Sequence, residues 1–223
     1  MSENIEIEDY KIRLIGNQGV GKTIFFHKLF TGEFKSRSFV TIAANSKNYN
    51  AFNYFVNDGI ERKKKLGCRL FDLGGSLKYR ALTLAYIKGS DGIIIIYDIT
   101  NRESFDSLEY WINNIKEKIK SKDDKINCLI MVIGNKLDLI DDKNDKRKVT
   151  QKEAITFCEK NNIIWGGEKS FKDINKDELE EIIKDFNLRI YDLIGEKKIK
   201  VDKVLYSYRF EERRHGPEKC FIY

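Results

Sequence analysis

Residues 16–23 read Gly-Asn-Gln-Gly-Val-Gly-Lys-Thr, a G-x-x-x-x-G-K-[ST] loop set between an apolar run at 10–15 and a helical stretch at 24–30. That placement constrains the fold more than any other feature of the chain. A strand that feeds a glycine-rich turn opening a helix directs backbone N–H groups inward around phosphate oxygens, and the helix N-terminus adds its partial positive charge. Gly16, Asn17, Gln18, Gly19, Val20 and Gly21 would form the cradle. Lys22 would reach the β- and γ-phosphates, and the Thr23 hydroxyl would ligate Mg²⁺. Taken alone, the loop specifies a nucleotide and leaves the base open.

The remaining pattern predicts alternating strands and helices. Residues 92–98 centre on four consecutive isoleucines, as expected for a strand buried on both faces of a parallel sheet. Residues 128–134 read as a second such strand, and 163–165 as a short third. Helices are expected over 102–120, with Phe105, Leu108, Trp111, Ile112, Ile115 and Ile119 on one stripe, and from Thr150, where Thr150 and Glu153 form a capping box. The last helix would start near Asn175 and bury Leu179, Ile182, Ile183, Phe186, Ile190 and Leu193. Asn57-Asp58-Gly59 suggests a hairpin turn between strand-like flanks at 49–56 and 66–71. Residues 32–48 are polar with little periodicity and read as mobile. The sum is an α/β P-loop NTPase fold, a doubly wound and mostly parallel six-stranded sheet flanked by helices, with ligands at the C-terminal ends of the strands. One domain over residues 1–195 and a tail over 196–223 are expected.

Composition removes several classes. Hydrophobic residues make up 41% and charged residues 34%, which fits a folded domain rather than a disordered or membrane-spanning one. The net charge of +6 comes from scattered residues of both signs. No basic stripe interleaves with aromatics, so nucleic acid is not an expected partner. The polar, acidic residues 1–9 lack the form of a secretory signal, and position 2 is not the glycine that myristoylation needs. Cys68, Cys128, Cys158 and Cys220 lack metal-ligand spacing and read as free thiols of a cytoplasmic protein.

Asn135-Lys136-Leu137-Asp138 follows the buried strand at 128–134. An aspartate there can accept hydrogen bonds from the N1–H and exocyclic amine of guanine. Adenine offers neither donor and would leave a buried carboxylate unpaired. With both boxes in place, the chain over residues 10–194 resembles a Ras-superfamily small GTPase, most closely the Rab branch. Ala85-Tyr86-Ile87-Lys88-Gly89-Ser90-Asp91-Gly92, Tyr97-Asp98-Ile99-Thr100, and Ser104-Phe105 followed by Trp111 look like Rab sequence.

The resemblance implies GTP/GDP and Mg²⁺ as ligands, with Thr23, Thr41 and Asp72 as the metal residues. Asp72-Leu73-Gly74-Gly75 looks like the D-x-x-G box, with the Gly75 N–H sensing the γ-phosphate, so Lys22, Thr41, Gly75 and Ser76 stand where the family's catalytic groups stand. Phe34 occupies the place of an aromatic against the guanine edge. Glu168-Lys169-Ser170-Phe171-Lys172 is similar to the E-T-S-A-K box, placing Ser170, Phe171 and Lys172 at the base. The expected protein is a monomeric molecular switch with effector, exchange-factor and GTPase-activating partners, acting in membrane traffic or signalling.

Several positions depart from the family. Ser76 stands where a glutamine usually orients the attacking water, which implies weak intrinsic hydrolysis. Gln18 replaces a smaller residue and either crowds the γ-phosphate or points to solvent. Ala43 replaces a usual glycine. The alternative to a switch is a non-hydrolysing GTP-binding scaffold, while an ATP-dependent small kinase is disfavoured by Asp138. Cys220-Phe221-Ile222-Tyr223 has the C-a-a-X form of a prenylation signal with an unusual last residue, and lipidation of Cys220 would put the protein at the cytosolic face of a membrane.

Overall fold

A computed structural model of the chain describes residues 6–35, 41, 44–49, 53–57, 61–119, 128–140 and 146–195. Within them the elements run β1 (Glu6–Ile15), α1 (Lys22–Thr31), β2 (Ala44–Tyr49), β3 (Asn53–Asn57), β4 (Glu61–Leu73), α2 (Arg80–Ile87), β5 (Gly92–Asp98), α3 (Arg102–Ile119), β6 (Leu129–Asn135), α4 (Gln151–Asn161), β7 (Ile164–Lys169) and α5 (Lys176–Gly195). They form one sheet in the order β2-β4-β1-β5-β6-β7, with β3 also paired to β4. All pairings are parallel except those of β2 and β3 with β4.

The expected six strands are therefore six lanes holding seven strands. The long β4 carries β2 along Cys68 to Leu73 and β3 along Glu61 to Lys65. The pairing of Asn57 with Glu61 fits the hairpin expected near Asp58 and Gly59, both of which lie outside the described residues. Part of the 32–48 expectation is corrected, because Ala44–Tyr49 is a regular strand. An edge strand needs only a ladder partner on one side, so its polar sequence, with one half-buried face, does not prevent pairing.

Period-two alternation across a doubly covered sheet builds two cores. Ile94 and Ile96 of β5, with Met131 and Ile133 of β6, face α1 and α5; Ile93, Ile95 and Tyr97, with Ile130 and Val132, face α3 and α4. The α3 stripe from Phe105 to Ile115 is buried in the second core, and Leu179, Ile183, Phe186 and Ile190 of α5 in the first, with Ile182 and Leu193 only partly covered. Thr150 caps α4 as expected by accepting from the Glu153 N–H at 3.2 Å, while the Glu153 carboxylate pairs with Arg102 of α3 at 2.6 Å.

β7 extends well past the expected 163–165. Its Gly166 lies where a Cβ would come within 2.7 Å of Ile133 Cγ1, and Gly167 takes φ 84° at a register shift opposite Val132 and Gly134. Glycines in a strand pattern thus mark a bulge and a close approach rather than its end. No helix among the described residues is long and apolar enough to cross a membrane.

The start of β5 is equally close to α5. A Cβ on Gly92 would stand 2.6 Å from Ile190 Cδ1 and 2.7 Å from Phe186 Cε1. Gly92→Val is expected to lower stability by about 1–3 kcal/mol through overpacking, read as a shift of the urea unfolding midpoint.

Candidate functional site

The C-terminal ends of β1, β4, β5, β6 and β7 converge on the loop that follows β1. Gly16 (φ 133°) crosses over β5 so closely that a side chain would collide with the Ile96 carbonyl. Gly21 (φ 111°) is the N-cap of α1 and supplies no capping side chain, so the first N–H groups of the helix remain directed at the loop. A Cβ there would strike the Asn135 amide. Lys22 is buried and curls back, its ammonium donating to the Gly16 carbonyl at 3.0 Å and the Asn17 carbonyl at 2.7 Å. Burial pulls its pKa down to about 8, with Asp72 opposing the shift.

Opposite Lys22, Asp72 ends β4 in complete burial. Its Oδ2 accepts from Thr23 Oγ1 at 2.7 Å and from Thr41 Oγ1 at 3.3 Å, and the two hydroxyls are 3.1 Å apart. Its Oδ1 makes no hydrogen bond. Burial raises the carboxyl pKa, against the pull of Thr23, Lys22 and Thr41. A desolvated carboxylate with a free oxygen, beside two hydroxyls, is a hard-oxygen donor set suited to Mg²⁺. No group of three His, Cys, Asp or Glu side chains suited to a metal occurs among the described residues.

Gly75 packs against the same loop. A Cβ would clash with the Lys22 ammonium and come within 2.6 Å of the Asn17 carbonyl group, so only glycine admits this approach. The preceding Gly74 carbonyl accepts from buried Thr83 of α2 at 2.7 Å. Ser76 follows with no side-chain capping bond, and Gln18 is exposed at the loop tip.

The base box sits on the other flank. Asn135 is buried; its Nδ2 donates to the Val20 carbonyl at 2.7 Å, and its Oδ1 accepts from the Phe171 N–H at 3.0 Å. One carboxamide thus joins the phosphate loop to the loop after β7. Lys136 takes the left-handed conformation (φ 73°) and pairs with Asp98 of β5 at 2.7 Å. Asp138 accepts from Ser170 Oγ at 2.9 Å and faces the Lys172 ammonium at 3.8 Å. Ser170, Phe171 and Lys172 therefore lie against Asn135 and Asp138. The Phe171 ring turns away and stacks edge-on against Phe25 at 5.2 Å. Phe34 stays exposed at 39%.

Sequence reasoning missed some parts. Trp111, expected on the buried stripe of its helix, is fully buried there and in addition donates its indole N–H to Asn17 Oδ1 at 3.2 Å. Asn17 Nδ2 in turn donates to Ser107 at 2.9 Å, while Arg80 of α2 approaches Asn17 Oδ1 at 3.5 Å and stacks over Tyr110 and Trp111. A helical stripe gives no sign that one member's polar edge meets a loop about ninety residues earlier. Lys28 of α1 was missed for the same reason. Cys220 and Ala43 lie outside the described residues.

The phosphate-type loop, the buried Lys22 and Asp72, and the doubly wound sheet define a P-loop NTPase domain. The Ras family model matches residues 11–192, and the chain belongs to that family. It is 34% identical over 165 residues to the Ras-related protein Rab-5B of Plasmodium falciparum (isolate 3D7), covering 73% of this chain and 70% of that protein. It is 35% identical over 156 residues to the GTP-binding protein ypt3 of Schizosaccharomyces pombe, covering 70% and 65%, and 35% identical over 145 residues to the human Ras-related protein Rab-8B, covering 65% and 62%. The matched segment thus spans between 62% and 70% of these relatives' own length. These similarities make the chain a divergent, Rab-like small GTPase.

Asn17→Ala would strand the buried Trp111 indole N–H. A loss of about 1–3 kcal/mol in unfolding free energy is expected, with Asn17→Asp, which keeps an acceptor, retaining most of the stability.

Proposed function

We propose that the chain is a guanine-nucleotide switch whose own GTP hydrolysis is slow. The observation that supports the reading is the Asn135 carboxamide, which bonds Val20 of the glycine-rich loop and Phe171 of the loop whose Ser170 donates to Asp138. Guanine would donate its N1–H and 2-amino group to Asp138, and the loop N–H groups with Lys22 would hold the phosphates. Phe34 would cover the edge of the base. Thr23, Thr41 and Asp72 would hold Mg²⁺, which when bound neutralises charge on the β- and γ-phosphates.

The switching reading rests on Thr41 and Gly75. Both lie within reach of the same buried cluster, and a γ-phosphate would favour the arrangement that keeps them there. Thr83 ties Gly74 to α2, so release at Gly75 would be felt along that helix. Effectors, exchange factors and activating proteins are the partner classes this mechanism calls for, and the resemblance to the Rab branch favours membrane traffic. Lipidation at Cys220 would supply the membrane contact; an unmodified C-terminus in the native protein, by mass spectrometry, would remove that part of the proposal.

Two experiments test the core. Fluorescent GDP should be displaced by GTP and GDP but not by ATP, and Asp138→Asn should shift preference from guanine to xanthine nucleotides; equal competition by ATP would overturn the guanine assignment. For turnover, Ser76 is too short to position a water as a glutamine amide does. Single-turnover hydrolysis of bound GTP should accelerate at least about tenfold in Ser76→Gln, roughly 1.4 kcal/mol of barrier. Equal rates would sink the slow-hydrolysis reading. Absence of phosphate release from the wild-type protein, with or without activating proteins, would favour the scaffold alternative, to which Ser76 lends support.

A further inference from the structure

Lys28 is a lysine on the inner side of α1, only 5% exposed, where an apolar residue would ordinarily sit. Its ammonium donates to the Lys172 carbonyl at 2.6 Å and the Phe171 carbonyl at 3.4 Å. It also stands 6.0 Å from the ring centre of Phe34. A buried ammonium is tolerated only where acceptors replace its water, and here the acceptors are two consecutive carbonyls of the loop that supports Asp138. Within that loop Ser170 donates to Asp138, the Lys172 ammonium faces it, and the Phe171 N–H is held by Asn135. Lys28 lies one turn before the helix end, where the Gly32 N–H closes onto the Lys28 carbonyl at 2.7 Å and the chain turns toward Phe34. One side chain therefore touches the loop that orients Asp138 and the aromatic at the base edge.

We propose that Lys28 is a positioning residue for the guanine site: from inside α1 it fixes the loop at 170–172 behind Asp138, and so sets how slowly nucleotide leaves and how well guanine is told from a base without the 2-amino group. It touches no nucleotide itself. Losing it frees the Phe171 and Lys172 carbonyls, lets Ser170 drift from Asp138, and weakens the carboxylate's alignment with the 2-amino group. The phosphate loop, packed on β5 at Gly16 and tied to α3 through Asn17, keeps those contacts.

This inference rests on the proposed guanine binding, and its test separates the two. Dissociation of GDP and of inosine diphosphate, which lacks the 2-amino group, is followed by stopped-flow displacement from the wild-type chain, Lys28→Met and Lys28→Arg. In Lys28→Met, GDP should leave about tenfold faster, the scale of one charge-assisted hydrogen bond. Inosine diphosphate should change by less than about threefold, and Lys28→Arg should restore most of the difference. Acceleration of both nucleotides by the same factor, or of neither, overturns the positioning role while leaving guanine binding intact. A wild-type chain that retains neither nucleotide overturns the proposed function and this inference together.

Discussion

Two opposite charges are buried at the end of the sheet, Lys22 and Asp72, and neither is fully satisfied by protein groups. Lys22 reaches only backbone carbonyls, and Asp72 keeps one carboxylate oxygen without a partner. Removing such groups from water is strongly unfavourable unless partners replace the hydration. Their opposite pKa displacements, the ammonium down and the carboxyl up, register that desolvation. The surrounding architecture keeps them there. Gly16 lets the loop pass over β5, Gly75 closes on it from β4, and α1 begins where its N–H groups face inward. A ligand carrying negative charge and a divalent cation would satisfy both groups at once, which is why the site reads as one for a phosphate chain and Mg²⁺.

A second layer ties this strained centre to the surface. Asn17 spends its carboxamide on Ser107 and Trp111 of α3, and Arg80 of α2 leans over the same tryptophan and Tyr110. Thr83 holds the Gly74 carbonyl from within α2. The residue before Gly75 is thus bonded to α2, and the loop Gly75 packs on is bonded to α3, helices with exposed apolar residues, among them Leu82, Tyr86 and Tyr110. Motion at Gly75 has a short, polar path to that face, with no long-range relay required.

Much of the framework was legible in the sequence. The strand at 92–98 was bounded correctly because four consecutive isoleucines have few other uses, and α3, α4 and α5 followed from 3.6-residue stripes and the Thr150 cap. The loop at 16–23 and the segment at 135–138 follow their strands, β1 and β6, as local order led one to expect. Legibility failed where neighbours decide the outcome. Ala44–Tyr49 is polar, and it becomes a strand because the edge of β4 is there to pair with it. Gly166 and Gly167 look like a turn, and they are the bulge that lets β7 approach β6.

The sequence by itself determined the chemistry: a loop that can present N–H groups to phosphate, an aspartate suited to guanine, and a serine where a glutamine is usual. These depend on residue type and near spacing, which a single chain displays directly. Only the tertiary structure decided which distant groups hold that chemistry in place. Asn135 reaches from β6 to Val20 and Phe171, Trp111 from α3 to Asn17, and Lys28 from α1 to the carbonyls behind Asp138. The reason is that a buried donor must find its acceptor in space, and the sheet order, rather than the distance along the chain, sets which acceptor is near.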